Sequence, residues 1–110
     1  MRSYLIDEIS PADMEKIEGY LEQNAIKSNL EKIFWVQMSE NLLSDTQFQH
    51  RDCQPYAFAI ELGPDWVKLE FLVRNLKNLH CICNDYCTLQ QRDFILNFAH
   101  KMMEHQDIRT

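Results

Sequence analysis

Glycine and proline are scarce in this chain of 110 residues, which contains two glycines and three prolines. A globular chain of average composition would carry about 13 of these two residue types together. A dinucleotide-binding loop needs three closely spaced glycines, and a P-loop needs two that are five residues apart. Gly19 and Gly63 are too far apart for either loop, and no G-x-S-x-G turn of a common hydrolase is present. The scarcity therefore excludes phosphate-binding glycine loops and that nucleophile turn.

Basic charge and long apolar runs are also scarce. The chain has 11 Lys and Arg against 17 Asp and Glu, which gives a formal net charge of −6. Nucleic-acid binding requires clustered basic residues, and no such cluster is present, so we expect no nucleic-acid partner. A membrane-spanning helix needs about 20 consecutive apolar residues, and every apolar run in this chain is much shorter. The first residues also lack the apolar segment of a signal peptide. We therefore expect a cytoplasmic protein without membrane contact, whose four cysteines stay reduced.

The remaining composition is that of an ordinary globular protein, with 45% hydrophobic and 25% charged residues. Its length is typical of one domain, so residues 1–110 are interpreted as a single α+β domain.

Two helices are indicated by their capping residues. Ser10 is a good N-cap, Pro11 suits the first helical position, and apolar residues then recur at helical spacing until about Asn24. The sequence from Thr88 to Gln91 is a capping box that opens the last helix. Apolar residues of this last helix cover an arc of roughly 200°, about twice the minimal core stripe. The helix must therefore contact two elements of its own chain or a partner.

Alternating apolar residues predict strands at 33–38, 56–62, 67–74 and 79–83. A four-residue loop at 63–66 would pair Leu62 with Val67 and would set Glu61 opposite Lys68, a favourable pair of charges. The same register predicts that Phe58 pairs with Phe71 and Tyr56 with Val73. Residues 39–54 are mixed, and a short helix capped by Ser39 or Ser44 is possible there.

The expected fold is an α+β domain with an about four-stranded, mainly antiparallel sheet whose central meander spans 56–83. The N-terminal and C-terminal helices pack against the face that carries Tyr56, Phe58, Phe71 and Ile82. The sequence leaves open whether strand 33–38 lies at an edge or runs parallel to a neighbour.

Soft metal ligands are grouped in two short segments. These candidates for a zinc site are His50, Cys53, Cys81, Cys83 and Cys87. On the predicted strand, Cys81 and Cys83 point the same way, so both could bind one metal only if the strand is distorted. The simpler alternative is that these two cysteines fill a sheet face as small apolar residues. A third reading is a cysteine enzyme in which Cys53 or Cys87 attacks with His50 as base. In that reading the helix N-terminus after Cys87 would lower its thiol pKa.

Protein interaction is the first functional hypothesis, because the last helix is apolar over a wide arc and the second sheet face carries small residues. The chain is then a small acidic cytoplasmic interaction or adaptor module, which forms a homodimer or binds another protein. The expected contact residues are Trp66, Leu72, Phe94, Leu96 and Met103. The second hypothesis is a zinc-binding protein that uses His50, Cys53, Cys87 and one of Cys81 or Cys83. A cysteine-dependent enzyme is a distant third. No catalytic residue is predicted.

Overall fold

The computed structural model of the chain describes residues 2–77 and 80–108. These residues form three α-helices and seven strands. In chain order they are β1 Ser3–Ile6, α1 Pro11–Asn24, β2 Ile26–Lys27, β3 Ile33–Gln37, α2 Asp45–Gln49, β4 Tyr56–Leu62, β5 Val67–Glu70, β6 Leu72–Asn75, β7 Asp85–Tyr86 and α3 Leu89–His105. Two 3₁₀ turns, Glu40–Leu42 and Arg51–Cys53, flank α2. The predicted α+β class is confirmed, but the sheet has more strands than the four expected.

The sheet is antiparallel at every pairing of the described strands. Its main order is β1-β5-β4-β3-β2. Strand β6 also pairs with β4, and β7 pairs with β6. The predicted strand 33–38 appears as β3 and runs antiparallel to β4, with the two-residue β2 on its other side. Strands β1 and β2 were not predicted, because neither segment is long enough to show an alternating pattern.

The hairpin between β4 and β5 has the predicted four-residue loop. Leu62 pairs with Val67 and Glu61 pairs with Lys68, whose ammonium lies 3.2 Å from the glutamate carboxylate. This register follows from alternation, since a one-residue slip would move every apolar side chain to the opposite face.

The predicted register fails beyond Leu69, so the predicted pairs of Phe58 with Phe71 and of Tyr56 with Val73 are not formed. Tyr56 pairs with Asn75 and not with Val73, so the strand opposite β4 contains two more residues than the predicted pairing allows. The backbone of Phe71 leaves the ladder with β4: its N–H donates to the carbonyl of Arg2 at 3.0 Å, and its carbonyl accepts from Cys87 at 2.7 Å. A two-residue offset keeps the side chains on their original faces, so alternation alone does not reveal it.

The strand predicted at 79–83 is wrong for its described part. Leu79 lies outside the described residues, and residues 80–84 form turns that lead to β7 at Asp85–Tyr86. Ile82, expected in the core, is 83% exposed, whereas Cys83 is 1% exposed. The alternation of five residues fits a strand, but a turn with one side chain buried gives the same pattern.

Both long helices begin at their predicted caps. The Ser10 hydroxyl accepts from the Asp13 amide at 3.1 Å, and Thr88 and Gln91 form the reciprocal capping box of α3. Helix α3 packs on the sheet through Phe94 and Phe98, whose rings lie 6.4 and 6.1 Å from that of Phe58. Within residues 2–77 and 80–108, no helix combines the length and the apolar character needed to span a bilayer.

The wide apolar arc of α3 is used within the chain. Phe98 meets Tyr20 of α1 at 6.1 Å, and His100 meets Tyr4 of β1 at 6.3 Å, in addition to the contacts with the sheet. Met103 is 8% exposed. The arc therefore fits the first of the two expectations, in which the helix contacts several elements of its own chain.

Candidate metal centre

Two segments that are distant in sequence bring four candidate metal ligands together near Tyr56, the first residue of β4. Helix α2 ends at Gln49, and the turn that follows presents His50 and Cys53. The turns before β7 present Cys81 and Cys83. One ligand atom from each of these four residues lies within 4.8 Å of all the others. We call this group the His/Cys cluster.

The spacing of the cluster is close to that of a tetrahedral zinc site. His50 Nδ1 lies 3.2 Å from Cys81 Sγ, and the Cys53 thiol donates to Cys81 Sγ at 3.8 Å. Ligands at zinc bond lengths of about 2.0–2.3 Å on a tetrahedron are about 3.3–3.8 Å apart. One histidine with three cysteines is also a ligand set of structural zinc sites, so the residues present fit this metal.

A buried polar atom beside the cluster supports the same reading. The Tyr56 hydroxyl is buried and has no hydrogen-bond partner among the described residues. Burial, followed by the neighbouring Cys83 side chain, raises the pKa of Tyr56. A buried donor without an acceptor is costly, and a zinc-bound thiolate is a better acceptor than a neutral thiol.

Side chains around the cluster hold its ligands in place. Asn75 Nδ2 donates to Cys83 Sγ at 3.5 Å, and Gln47 Nε2 donates to the Cys83 carbonyl at 3.3 Å. The amide of Asn84 donates to the Cys81 carbonyl at 3.1 Å. Hydrogen bonds of this kind orient ligands around protein metal sites. The ligand turn is therefore held by side chains of α2 and β6 and by a backbone hydrogen bond of its own.

The thiols of the cluster have different proton affinities. The backbone N–H and then the side chain of Cys83 donate to Cys81, and together with His50 and Cys53 they lower the pKa of Cys81 to about 7. Loss of solvent, followed by the neighbouring Cys83 and Cys81 sulfurs, raises the pKa of Cys53 to about 11. Once one thiol of the cluster has ionised, its neighbours lose their protons less readily, because two negative charges at this separation repel each other. A divalent cation would remove that repulsion.

Cys87 lies outside the cluster, whereas the zinc hypothesis from the sequence used Cys87 with only one of Cys81 and Cys83. It precedes Thr88, the N-cap of α3, and is half-buried. Burial raises the pKa of its thiol, so the expectation of a lowered pKa at this helix start is wrong. The geometry reduces the candidate ligand set to His50, Cys53, Cys81 and Cys83.

The residues expected to contact a partner lie on the β4–β5 loop, on β6 and on α3. Trp66 folds back onto Gly63, where its ring occupies the space of a side chain. Leu72 is half-buried on the sheet face that faces away from the helices, Phe94 and Leu96 pack against the core, and Met103 is buried.

Three residues near the cluster were missed by sequence reasoning: Gln47, Tyr56 and Asn75. Gln47 had a usable signal, because it is the third residue after Ser44 and completes a capping box. Tyr56 was recognised only as a core residue, and nothing in the local sequence around Asn75 indicates that it lies beside Cys83. These two positions depend on the long-range pairing of β4 with β6.

Comparison with protein-family models, curated protein sequences and solved structures found no match for this chain.

Proposed function

We propose that this chain is a zinc-binding protein in which His50, Cys53, Cys81 and Cys83 hold one Zn²⁺ in a tetrahedral site. The observation that carries the proposal is the convergence of four ligand atoms within 4.8 Å of one another, from two segments about thirty residues apart. The half-buried setting, the unpaired Tyr56 hydroxyl and the hydrogen bonds to the ligand turns support it.

The metal has a structural role in this proposal. Four protein ligands complete a tetrahedron and leave no position for a substrate or a reactive water. The metal would fasten the turns that contain Cys81 and Cys83 to the end of α2. These turns have little regular structure of their own, so a crosslink at this point stabilises a part of the fold with few strand hydrogen bonds. We therefore propose no enzymatic activity.

The proposed site also indicates the redox state of the compartment that contains the protein. Zinc-thiolate ligation needs reduced cysteines, and all four cysteines of the chain are free thiols. We place the protein in the cytoplasm, where thiols stay reduced.

Metal analysis tests the proposal directly. Protein purified without chelators is expected to contain about one equivalent of zinc, and Co²⁺ substitution should give the strong ligand-field bands of a tetrahedral thiolate site. Cys53→Ser and Cys83→Ser should each lose the metal. Cys87→Ser is the matched control, because it removes a half-buried thiol outside the cluster and should retain the full equivalent.

Zinc below about 0.1 equivalent after chelator-free purification, with no uptake of added Zn²⁺ or Co²⁺, would contradict the proposal. Equal loss of metal in Cys87→Ser and Cys53→Ser would also contradict it, because the ligands would then not be the four named here.

A protein-interaction role is the second candidate, favoured by apolar side chains on the sheet face that faces away from the helices. Leu5 is 53% exposed, and Ile26 is 51% exposed. The partner is a second copy of the chain or another protein. Light scattering at high concentration separates these two, since a clean monomer excludes the homodimer.

A further inference from the structure

The outer edge of β1 is an open strand edge. β1 ends the main strand order, and its only partner among the described strands is β5. The Arg2 carbonyl accepts from Phe71, so in an antiparallel ladder the alternate residues Tyr4 and Ile6 also turn their backbone groups toward β5. The backbone groups of Ser3 and Leu5 therefore point outward.

A groove runs between this edge and the last turns of α3. Its volume is about 690 Å³, and Tyr4 to Glu8 line one side while His100, Met103 and Glu104 line the other. Ile6, Met103 and Ile108 are each less than a tenth exposed and give the groove an apolar base. An edge strand beside a helix, with a groove between them, is the geometry in which an extended peptide adds to a sheet.

The charge of the groove selects the kind of peptide. Asp7, Glu8 and Glu104 line it, and the described residues that line it include no lysine or arginine. Complementary charge across an interface steers the encounter and discriminates between partners. The groove therefore favours a segment that carries lysine or arginine and disfavours an acidic one.

We propose that the outer edge of β1 binds an extended basic segment of a partner protein, which adds to the sheet as a strand beside α3. The four residues of β1 span about 13 Å, which corresponds to about four paired residues of the bound segment, so a peptide of about seven residues covers the edge with a flanking residue or two at each end. Side chains of the segment that point toward α3 enter the groove, where apolar ones contact its base and basic ones meet the carboxylates. This inference does not depend on the zinc site.

A second copy of the chain fits this edge less well. Two copies joined through β1 would bring two acidic grooves with the same charge next to each other, within a chain whose net charge is already −6. Like charges at an interface are unfavourable, so the charge points to a different protein.

The test uses two end-blocked peptides of about seven residues, one composed of lysine and valine so that both faces of the strand carry each residue type, and one with glutamate in place of every lysine. Fluorescence anisotropy of labelled peptides should show binding of the lysine peptide, weakened by salt, and no binding of the glutamate peptide. Hydrogen exchange should slow at the amides of Ser3 and Leu5 when the lysine peptide is bound, which locates the peptide at the β1 edge.

Leu5→Pro is the sharpest variant. Proline removes the outward N–H of Leu5 without removing a hydrogen bond to β5, and edge strands tolerate proline at such positions. Binding of the lysine peptide should be lost while the thermal unfolding midpoint stays close to that of the parent chain. If this variant fails to fold, the double charge reversal Asp7→Lys and Glu104→Lys replaces it, with an expected loss of about tenfold or more in affinity.

The matched control is the double reversal Glu15→Lys and Glu22→Lys, which changes the net charge equally on the exposed surface of α1. Its affinity should match that of the parent chain at moderate salt. Equal binding of both peptides, unchanged affinity in the groove variants, or a homodimer that already protects the Leu5 amide would each overturn the proposal.

Discussion

Gln91 donates its side-chain amide to the side-chain carbonyl of Gln47 at 2.9 Å, and this bond joins two capping boxes. Gln47 closes the box of α2 with Ser44, and Gln91 closes the box of α3 with Thr88. Both glutamines are buried. Because Gln47 also donates to the Cys83 carbonyl, one side chain connects the starts of two helices to the turn that carries a proposed zinc ligand.

We expect Gln47→Ala to destabilise the fold by about 1–3 kcal/mol, because it leaves the Cys83 carbonyl and the Gln91 amide without this partner. Zinc affinity should also fall by about tenfold, as is typical when a group that orients a ligand is removed. Urea unfolding and a competition assay with a chromophoric chelator measure the two effects.

The control for this variant is Gln90→Ala, which changes an exposed glutamine at the start of α3. It should shift the free energy of unfolding by less than about 0.5 kcal/mol. An unfolding free energy of Gln47→Ala equal to that of Gln90→Ala would show that the Gln47–Gln91 bond does not stabilise the protein.

The zinc affinity should increase with pH. The pKa of Cys53 is raised to about 11, so its thiol is protonated at neutral pH and must lose its proton when zinc binds. Each proton released adds about one unit to the slope of log affinity against pH. The pKa of Cys81 is lowered to about 7, so it releases a proton on binding mainly below pH 7, and the slope should be steeper there.

Competition titrations between about pH 6 and pH 8 measure this slope. Cys87→Ser should show the same pH dependence as the parent chain, since Cys87 is not a proposed ligand. An affinity that does not change with pH would mean that the metal is not bound through thiols that must first be deprotonated.

The helices and the first hairpin could be predicted from the sequence because their determinants are local. Ser10 and Thr88 cap helices within three residues of themselves, and the faces of β4 and β5 follow from strict alternation. The break at Phe71 could not be predicted, because it depends on hydrogen bonds to Arg2 and Cys87, which are distant in sequence.

The candidate ligands could be named from the sequence, but their grouping could not. The assignment of Cys81 and Cys83 to a strand placed both side chains on one face. In the structure a turn replaces that strand, and both sulfurs reach His50 and Cys53. The sequence could not show that Cys87 lies outside the cluster, because this depends on the position of the start of α3 relative to the other ligands.

Tyr56→Phe should have opposite effects on the metal-free and zinc-bound protein. In the metal-free protein the buried hydroxyl has no hydrogen-bond partner among the described residues, so its removal should leave the free energy of unfolding unchanged or raise it by about 1 kcal/mol. In the zinc-bound protein a thiolate at Cys83 is expected to accept from this hydroxyl, and the zinc affinity should therefore fall.

Urea unfolding with and without a chelator, together with zinc competition, separates these two effects. A large loss of stability in metal-free Tyr56→Phe would show that the hydroxyl already has a strong partner without metal. Phe58→Tyr is not a suitable comparison, because it would add a second buried hydroxyl to the packing with Phe94 and Phe98. Tyr86→Phe is the better control, since Tyr86 is 44% exposed.

The two glycines of this glycine-poor chain should respond to alanine in opposite directions. Gly63 lies under the ring of Trp66, and a Cβ there would overlap that ring, so Gly63→Ala should displace the indole and destabilise the fold by about 1–3 kcal/mol. A Cβ at Gly19 meets nothing within 4 Å, and Gly19 lies on the exposed side of α1. Gly19→Ala should therefore stabilise the protein by up to about 1 kcal/mol, through the higher helix propensity of alanine.

Urea unfolding measures both free energies, and a red shift of tryptophan fluorescence confined to Gly63→Ala would report the displaced Trp66 ring. Equal effects of the two substitutions would mean that Trp66 does not pack on Gly63 in solution.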